Sequence, residues 1–312
     1  MPDAGLSLER INDMAIQLSI STNLFPQMAL DELLSTAATA GFNGVELGRL
    51  GHTARDIQTN LTPLMRNQAT FKAAGMQVAV LGTSIALHHK GARARDAMEA
   101  LRLAIDCAAE LQCPIVTAFG FAIPSGETSG YAYNRIAEHL REVALLAAVK
   151  GVRVAIRNGG SFASAASIWQ LLENTGHDSI GSAWDSVAGE IAGEPPTQAV
   201  PLLGRRLAYV QCADCAAGVE LTALGTGRMQ NKQLVERLLG ISYSGWLGYS
   251  LPLGVSLANL DAKVELPAAA EKLRTWLGLI KPPEAVPAPA AAKPAPSKVD
   301  APKVDPTPTP AS

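Results

Sequence analysis

Ala40-Gly41-Phe42-Asn43-Gly44-Val45-Glu46-Leu47 reads as the end of a helix, a glycine stop and a short apolar strand. The same grammar returns at Ala74-Gly75-Met76 and at Lys150-Gly151-Val152. Glycine suits the position just past a helix because the left-handed conformation costs it nothing. Working outward, the apolar periodicity predicts strands at 15–20, 44–47, 77–81, 115–119, 153–156, 180–184, 207–212 and 245–249. Between them it predicts helices starting near Ala29, Thr62, Ala92, Tyr131, Ala163, Thr197, Asn231 and Lys263. Successive strand–helix units, with no run of strands alone, predict an α/β fold whose parallel sheet closes into a (β/α)8 TIM barrel. An open doubly wound sheet is the rival. It lacks a G-x-G-x-x-G after the first strand, where Ser19-Ile20-Ser21-Thr22-Asn23-Leu24-Phe25-Pro26 stands instead.

Composition agrees with a large buried sheet. The chain is 48% apolar but only 5% aromatic, so its core is built from Ala, Val, Leu and Ile, as in sheets covered on both faces. A net charge of −2 over 312 residues, with no basic stripe, excludes the electrostatic footprint of nucleic-acid or anionic-membrane partners. Four cysteines are too few for a disulfide scaffold and suit a reducing compartment. With no targeting or membrane-spanning segment in view, a cytoplasmic location is expected. Residues 1–13 read as an N-terminal extension and 14–280 as the barrel. Residues 281–312 hold ten of the 20 prolines and no aromatic, and are expected to form a disordered Pro/Ala-rich tail. That tail is a candidate docking segment for a partner protein.

In such a barrel the chemistry gathers at the C-terminal strand ends, on side chains that point inward. Alternation along the fifth strand sends Val152, Val154 and Ile156 to the helices and Arg153, Ala155 and Arg157 into the lumen. The same counting places Asp185 after Ala183 on the sixth strand and Gln211 after Leu207 and Tyr209 on the seventh. It places Ser250 after Trp246 and Gly248 on the eighth, and Glu46 between Gly44 and Gly48 on the second.

These residues, with Ser19-Ile20-Ser21-Thr22-Asn23, Ala183-Trp184-Asp185 and Tyr243-Ser244-Gly245-Trp246-Leu247, resemble the xylose-isomerase-like superfamily of sugar (phosphate) isomerases and epimerases. The resemblance spans essentially all of 14–280. It implies a divalent metal at the barrel mouth, held by Glu, Asp, His and Glu from strands five to eight. Carried onto this chain, those positions are Arg157, Asp185, Gln211 and Ser250, so only the aspartate survives. The histidine that usually follows the aspartate by three residues is Ala188. The usual His-x-His-x-Lys-Asp of strand seven is Tyr209-Val210-Gln211-Cys212-Ala213-Asp214. The acidic residue expected after Gly225-Thr226-Gly227 is Arg228.

Isomerising a sugar through an enediolate needs a Lewis acid for the developing oxyanion and a carboxylate to move the proton. The family's two glutamates serve both ends, and here they are Arg157 and Ser250. An arginine repels a dication and is no base. The four residues sum to zero charge with no ion, whereas the family's set needs one. The sequence therefore predicts a metal-free site, with no cofactor, in which Arg157 takes the ion's place opposite Asp185. The residues expected to bind a small sugar, sugar phosphate or carboxylate are Glu46, His88, Arg157, Asn158, Asp185, Gln211 and Ser250. Two alternatives remain open: an active isomerase or epimerase with a metal relocated to Glu46, Asp185, Asp214 and a histidine of the strand-three loop, and a scaffold that uses the barrel exterior and tail. Cys212-Ala213-Asp214-Cys215 follows a strand instead of opening a helix, so it is read as coincidence and not as a redox or zinc motif.

Overall fold

Eight parallel strands close on one another in the computed structural model, which describes residues 16–66, 68–216, 220–252, 255 and 260–280. The expected extension at 1–13, the first residue of the first strand (Ala15) and the tail at 281–312 lie outside the described residues. The barrel strands are β1 (Gln17–Ser21), β2 (Gly44–Leu47), β3 (Gln77–Ala86), β4 (Ile115–Phe119), β5 (Arg153–Arg157), β6 (Ile180–Asp185), β7 (Leu207–Cys212) and β10 (Trp246–Tyr249). A small antiparallel pair, β8 (Asp214–Cys215) and β9 (Leu221–Thr222), follows β7. Around the barrel the order is β1-β10-β7-β6-β5-β4-β3-β2, every neighbouring pair being parallel.

The helices are α1 (Leu30–Ala40), α2 (Ala54–Arg66), α3 (Gln68–Ala73), α4 (Gly91–Glu110), α5 (Ser129–Val149), α6 (Ala165–Thr175), α7 (Ser186–Ile191), α8 (Pro196–Leu203), α9 (Asn231–Gly240) and α10 (Ala262–Trp276). Gly41, at φ 102°, ends α1 and donates its N–H to the carbonyls of Ala37 and Ala38, as the glycine-stop reading expects. The helix expected near Thr62 starts eight residues earlier, at Ala54. Thr53 and Asp56 explain it: Asp56 N–H donates to Thr53 Oγ1 (3.1 Å), and Thr53 N–H to Asp56 Oδ2 (3.2 Å). This reciprocal capping sets the start, and Pro63 then lies inside the helix. Also unforeseen is α7, which begins directly on Asp185.

Two cores result. The larger lies between sheet and helices and includes Val152, Val154 and Ile156. The smaller fills the lumen with Val80, Ile115, Ala155, Ala183, Tyr209 and Trp246. Strict alternation put Leu207 in the lumen with Tyr209, but Leu207 belongs to the outer core. The pairing of β6 with β7 shifts register between Ser182 and Ala183, which leaves Ala208 as an extra residue and reverses the parity below it. Above that bulge Tyr209 and Gln211 point inward as counted. Space in the lumen is tight: a Cβ on Gly44 would come 2.5 Å from the Trp246 ring, and one on Gly248 would fall on the Tyr209 hydroxyl.

Candidate functional site

The C-terminal strand ends bring Glu46, Arg157, Asn158, Asp185, Gln211 and Ser250 to one end of the lumen. Arg157 is 7% exposed and the other five are at most 2% exposed. Arg157 closes β5, where it pairs in register with Phe119 of β4 and Ala183 of β6. Its guanidinium lies 5.8 Å over the Phe119 ring and brings Nη2 to 3.7 Å from Asp185 Oδ2. Burial beside an aromatic face and a carboxylate is a setting that favours arginine over lysine.

Asp185 does two jobs. Its Oδ1 accepts the N–H groups of Val187 and Ala188, each at 3.1 Å, and so caps α7. Its other oxygen faces Arg157. Asn158 fixes the backbone at this point: its Oδ1 accepts from Asp185 N–H (2.7 Å) and its Nδ2 donates to the Asp185 carbonyl (3.0 Å). Asn158, expected to meet a ligand, thus has both ends of its amide engaged in holding Asp185.

A second cluster spans the barrel. Tyr209 donates its hydroxyl proton to Glu46 Oε2 at 3.0 Å. Gln211 Nε2 lies 3.1 Å from the same oxygen and 2.9 Å from Ser250 Oγ. A carboxylate accepts only, so the amide nitrogen of Gln211 must face it. Burial, and next the charge of Glu46, push the Tyr209 hydroxyl well above the ordinary tyrosine range, so it stays a donor. Tyr209 and Phe119 were not singled out from the sequence, although Tyr209 shares the inward parity of Gln211. Glu46 forms these bonds and no ion pair with Arg157 among the described residues.

His88 belongs to the rim. Its ring lies 4.1 Å from that of His89 and 6.0 Å from Phe121, which stacks on Phe119 at 4.6 Å. Aromatic rings therefore connect His88 to Arg157. Burial, with the charges of His89 and Arg135, lowers the His88 pKa and favours the neutral ring. Asp214 is tied up elsewhere: it accepts the N–H groups of Cys215, Gly225 and Met229 at 2.8–3.0 Å and so organises the loop after β8. Gly227 is needed there, since a Cβ would come 2.6 Å from the Cys215 carbonyl. Cys212 and Cys215 are free, buried thiols.

A sequence profile described as a xylose isomerase-like TIM barrel matches residues 34–276. The chain belongs to that family. Solved structures show the same architecture. D-psicose 3-epimerase in the presence of D-fructose is 15% identical with TM-score 0.70, covering 84% of this chain and 100% of its own. The 3-keto-D-glucoside 4-epimerase of E. coli is 16% identical with TM-score 0.68, covering 83% and 99%. The IolI protein with a bound zinc atom is 13% identical with TM-score 0.71, covering 85% and 99%. At such identities the likeness is one of fold. No curated protein matches in sequence.

The divalent metal that the family resemblance implies does not fit the residues present. At its four positions stand a guanidinium, one carboxylate, an amide bonded to Glu46 and a serine hydroxyl. A cation on Asp185 would meet the Arg157 charge within ion-pair distance. Like unit charges at ~4 Å repel by about 4 kcal/mol in a partly buried site. The relocated set fares no better, because Glu46 and Asp214 are committed to other donors. Among the described residues no group of three His, Cys, Asp or Glu side chains is placed to hold a metal ion. Nor does any described helix have the length and apolarity to cross a membrane.

Proposed function

We propose that this barrel works without a metal or other cofactor, as a pseudoenzyme that binds a small polar ligand: a sugar, sugar phosphate or carboxylate. Arg157 supplies, as a fixed side chain, the positive charge that an ion supplies in metal-dependent relatives. The observation that carries this reading is the buried Arg157–Asp185 pair at 3.7 Å. A guanidinium cannot act as base at neutral pH, and neither can Ser250. The carboxylates that remain are occupied, Glu46 by Tyr209 and Gln211, Asp185 by the α7 cap and Arg157. The proton transfer that isomerisation requires has no free carboxylate at the former glutamate positions.

Unused hydrogen-bonding groups support the binding role. Arg157 Nε is enclosed with no hydrogen-bond partner among the described residues, and so is Gln211 Oε1. Donor and acceptor together suit a hydroxyl, and the guanidinium suits an oxyanion. Because the cluster is buried, the side chains over it must move to admit a ligand. That enclosure favours one other reading, in which the lumen is purely structural and a partner protein engages the exterior. A reducing, cytoplasmic setting is part of the proposal, supported by four free thiols; nucleic acid and membrane are not proposed partners.

Calorimetric titration of the full chain with fructose, fructose 6-phosphate and glycerate tests the assignment. Saturable binding by at least one of them, lost in Arg157→Met, is expected. Turnover of a ketohexose that EDTA abolishes would overturn it.

A further inference from the structure

The opposite, N-terminal end of the barrel carries an unassigned cationic cavity. It measures about 420 Å³ and is lined by Arg153, Arg205, Ser242, Tyr243 and Ser244, among others, with no carboxylate in its wall. Arg153 opens β5 and lies across the barrel floor. Its Nη1 donates weakly to the Leu207 carbonyl (3.4 Å), and a Cβ on Gly181 would come 2.7 Å from its Nη2. Its Nε is enclosed and has no hydrogen-bond partner among the described residues.

Acidic groups on this face are already claimed. Arg206 takes Glu173 at 2.7 Å and Asp178 at 3.7 Å. Neither Arg153 nor Arg205 forms an ion pair among the described residues. Arg153 and Arg205 thus line one cavity whose wall holds no carboxylate. Burial of Arg153 is costly in that state, and its pKa is lowered first by desolvation and further by the Arg206 charge; Tyr243 and Asp178 oppose the shift. Tyr243 spends its proton on the Trp246 carbonyl at 3.0 Å, which leaves the Ser242 and Ser244 hydroxyls as the neutral donors in the wall.

We propose that this floor cavity binds phosphate or a phosphate monoester. A dianion matches the two guanidinium charges, and the arginine and serine side chains of the wall are donors its oxygens can accept from. The site is separate from the Arg157 cluster, which closes the other end of the same strand. It therefore stands whether or not the mouth binds a ligand.

Calorimetric titration of the full chain with inorganic phosphate, at ionic strength matched with chloride, tests this. The expected result is saturable binding of one phosphate per chain. Arg205→Gln, at an exposed position with no hydrogen bond from its side chain among the described residues, should weaken it about tenfold through loss of one charged donor. Arg153→Lys should weaken it as well, and Arg157→Met should leave it unchanged. No saturable binding, or equal affinity in wild type and Arg205→Gln, would overturn the proposal.

Discussion

Arg157 and Asp185 face each other at 3.7 Å at the C-terminal end of the barrel, with side chains 8% and 1% exposed. The backbone places Arg157 level with Ala183, two residues below Asp185, so the long side chain must reach upward to meet the carboxylate. Asn158 holds that carboxylate's backbone in place. The pair is thus built into the strand ends and does not depend on a surface rotamer.

Removing one partner leaves the other buried and uncompensated. Arg157→Met is expected to cost about 3 kcal/mol. At this chain length that corresponds to a Tm loss of roughly 6–12 °C. Asp185→Asn, which loses the charge but keeps a capping side chain, should cost less than Asp185→Ala, which loses both. The Arg157→Met/Asp185→Asn double variant should fall short of the sum of its singles. Thermal denaturation of the four proteins checks the order.

Tyr209→Phe removes the hydroxyl that donates to buried Glu46. A hydrogen bond to a charged acceptor is worth about 1.5–3 kcal/mol, and a loss in that range is expected in urea unfolding. Glu46→Gln in the Tyr209→Phe background should add little.

Gly248→Ala should be more damaging than an exposed glycine substitution, because the added methyl collides with the Tyr209 hydroxyl in a filled lumen. Overpacking of this kind costs about 1–3 kcal/mol. Combining it with Tyr209→Phe should recover part of the loss, as measured by Tm.

All four thiols should be silent in the native protein. Burial pushes Cys113 and Cys212 to about 12 and Cys215 to about 11, and raises Cys107 as well. A raised thiol pKa keeps the unreactive protonated form, so at pH 7 none of them should react with a disulfide reagent. Labelling should reach four per chain only after unfolding in guanidinium.

Much of this was legible before the structure. Strand-and-helix periodicity and the glycine stops at Gly41, Gly75 and Gly151 carried the barrel, since each is a local property of the chain. Parity along β5 placed Arg157 correctly because that strand is regular. Along β7 it misplaced Leu207, because a bulge leaves no mark in a run of apolar residues. The Glu46–Tyr209 bond joins residues 163 apart in sequence across the lumen, so no local pattern announces it. The start of α2 is set by Thr53 and Asp56, whose reciprocal cap is a local signal that apolar periodicity does not register.

Metal content of the purified full chain tests the central claim most directly. Protein expressed in medium supplemented with manganese, cobalt and zinc should carry far less than one equivalent by elemental mass spectrometry. Its Tm should not move on addition of EDTA, since no ion linked to folding is removed. A stoichiometric ion bound at Asp185, with a Tm that falls by several degrees in chelator, would contradict the assignment of Arg157 as the resident cation.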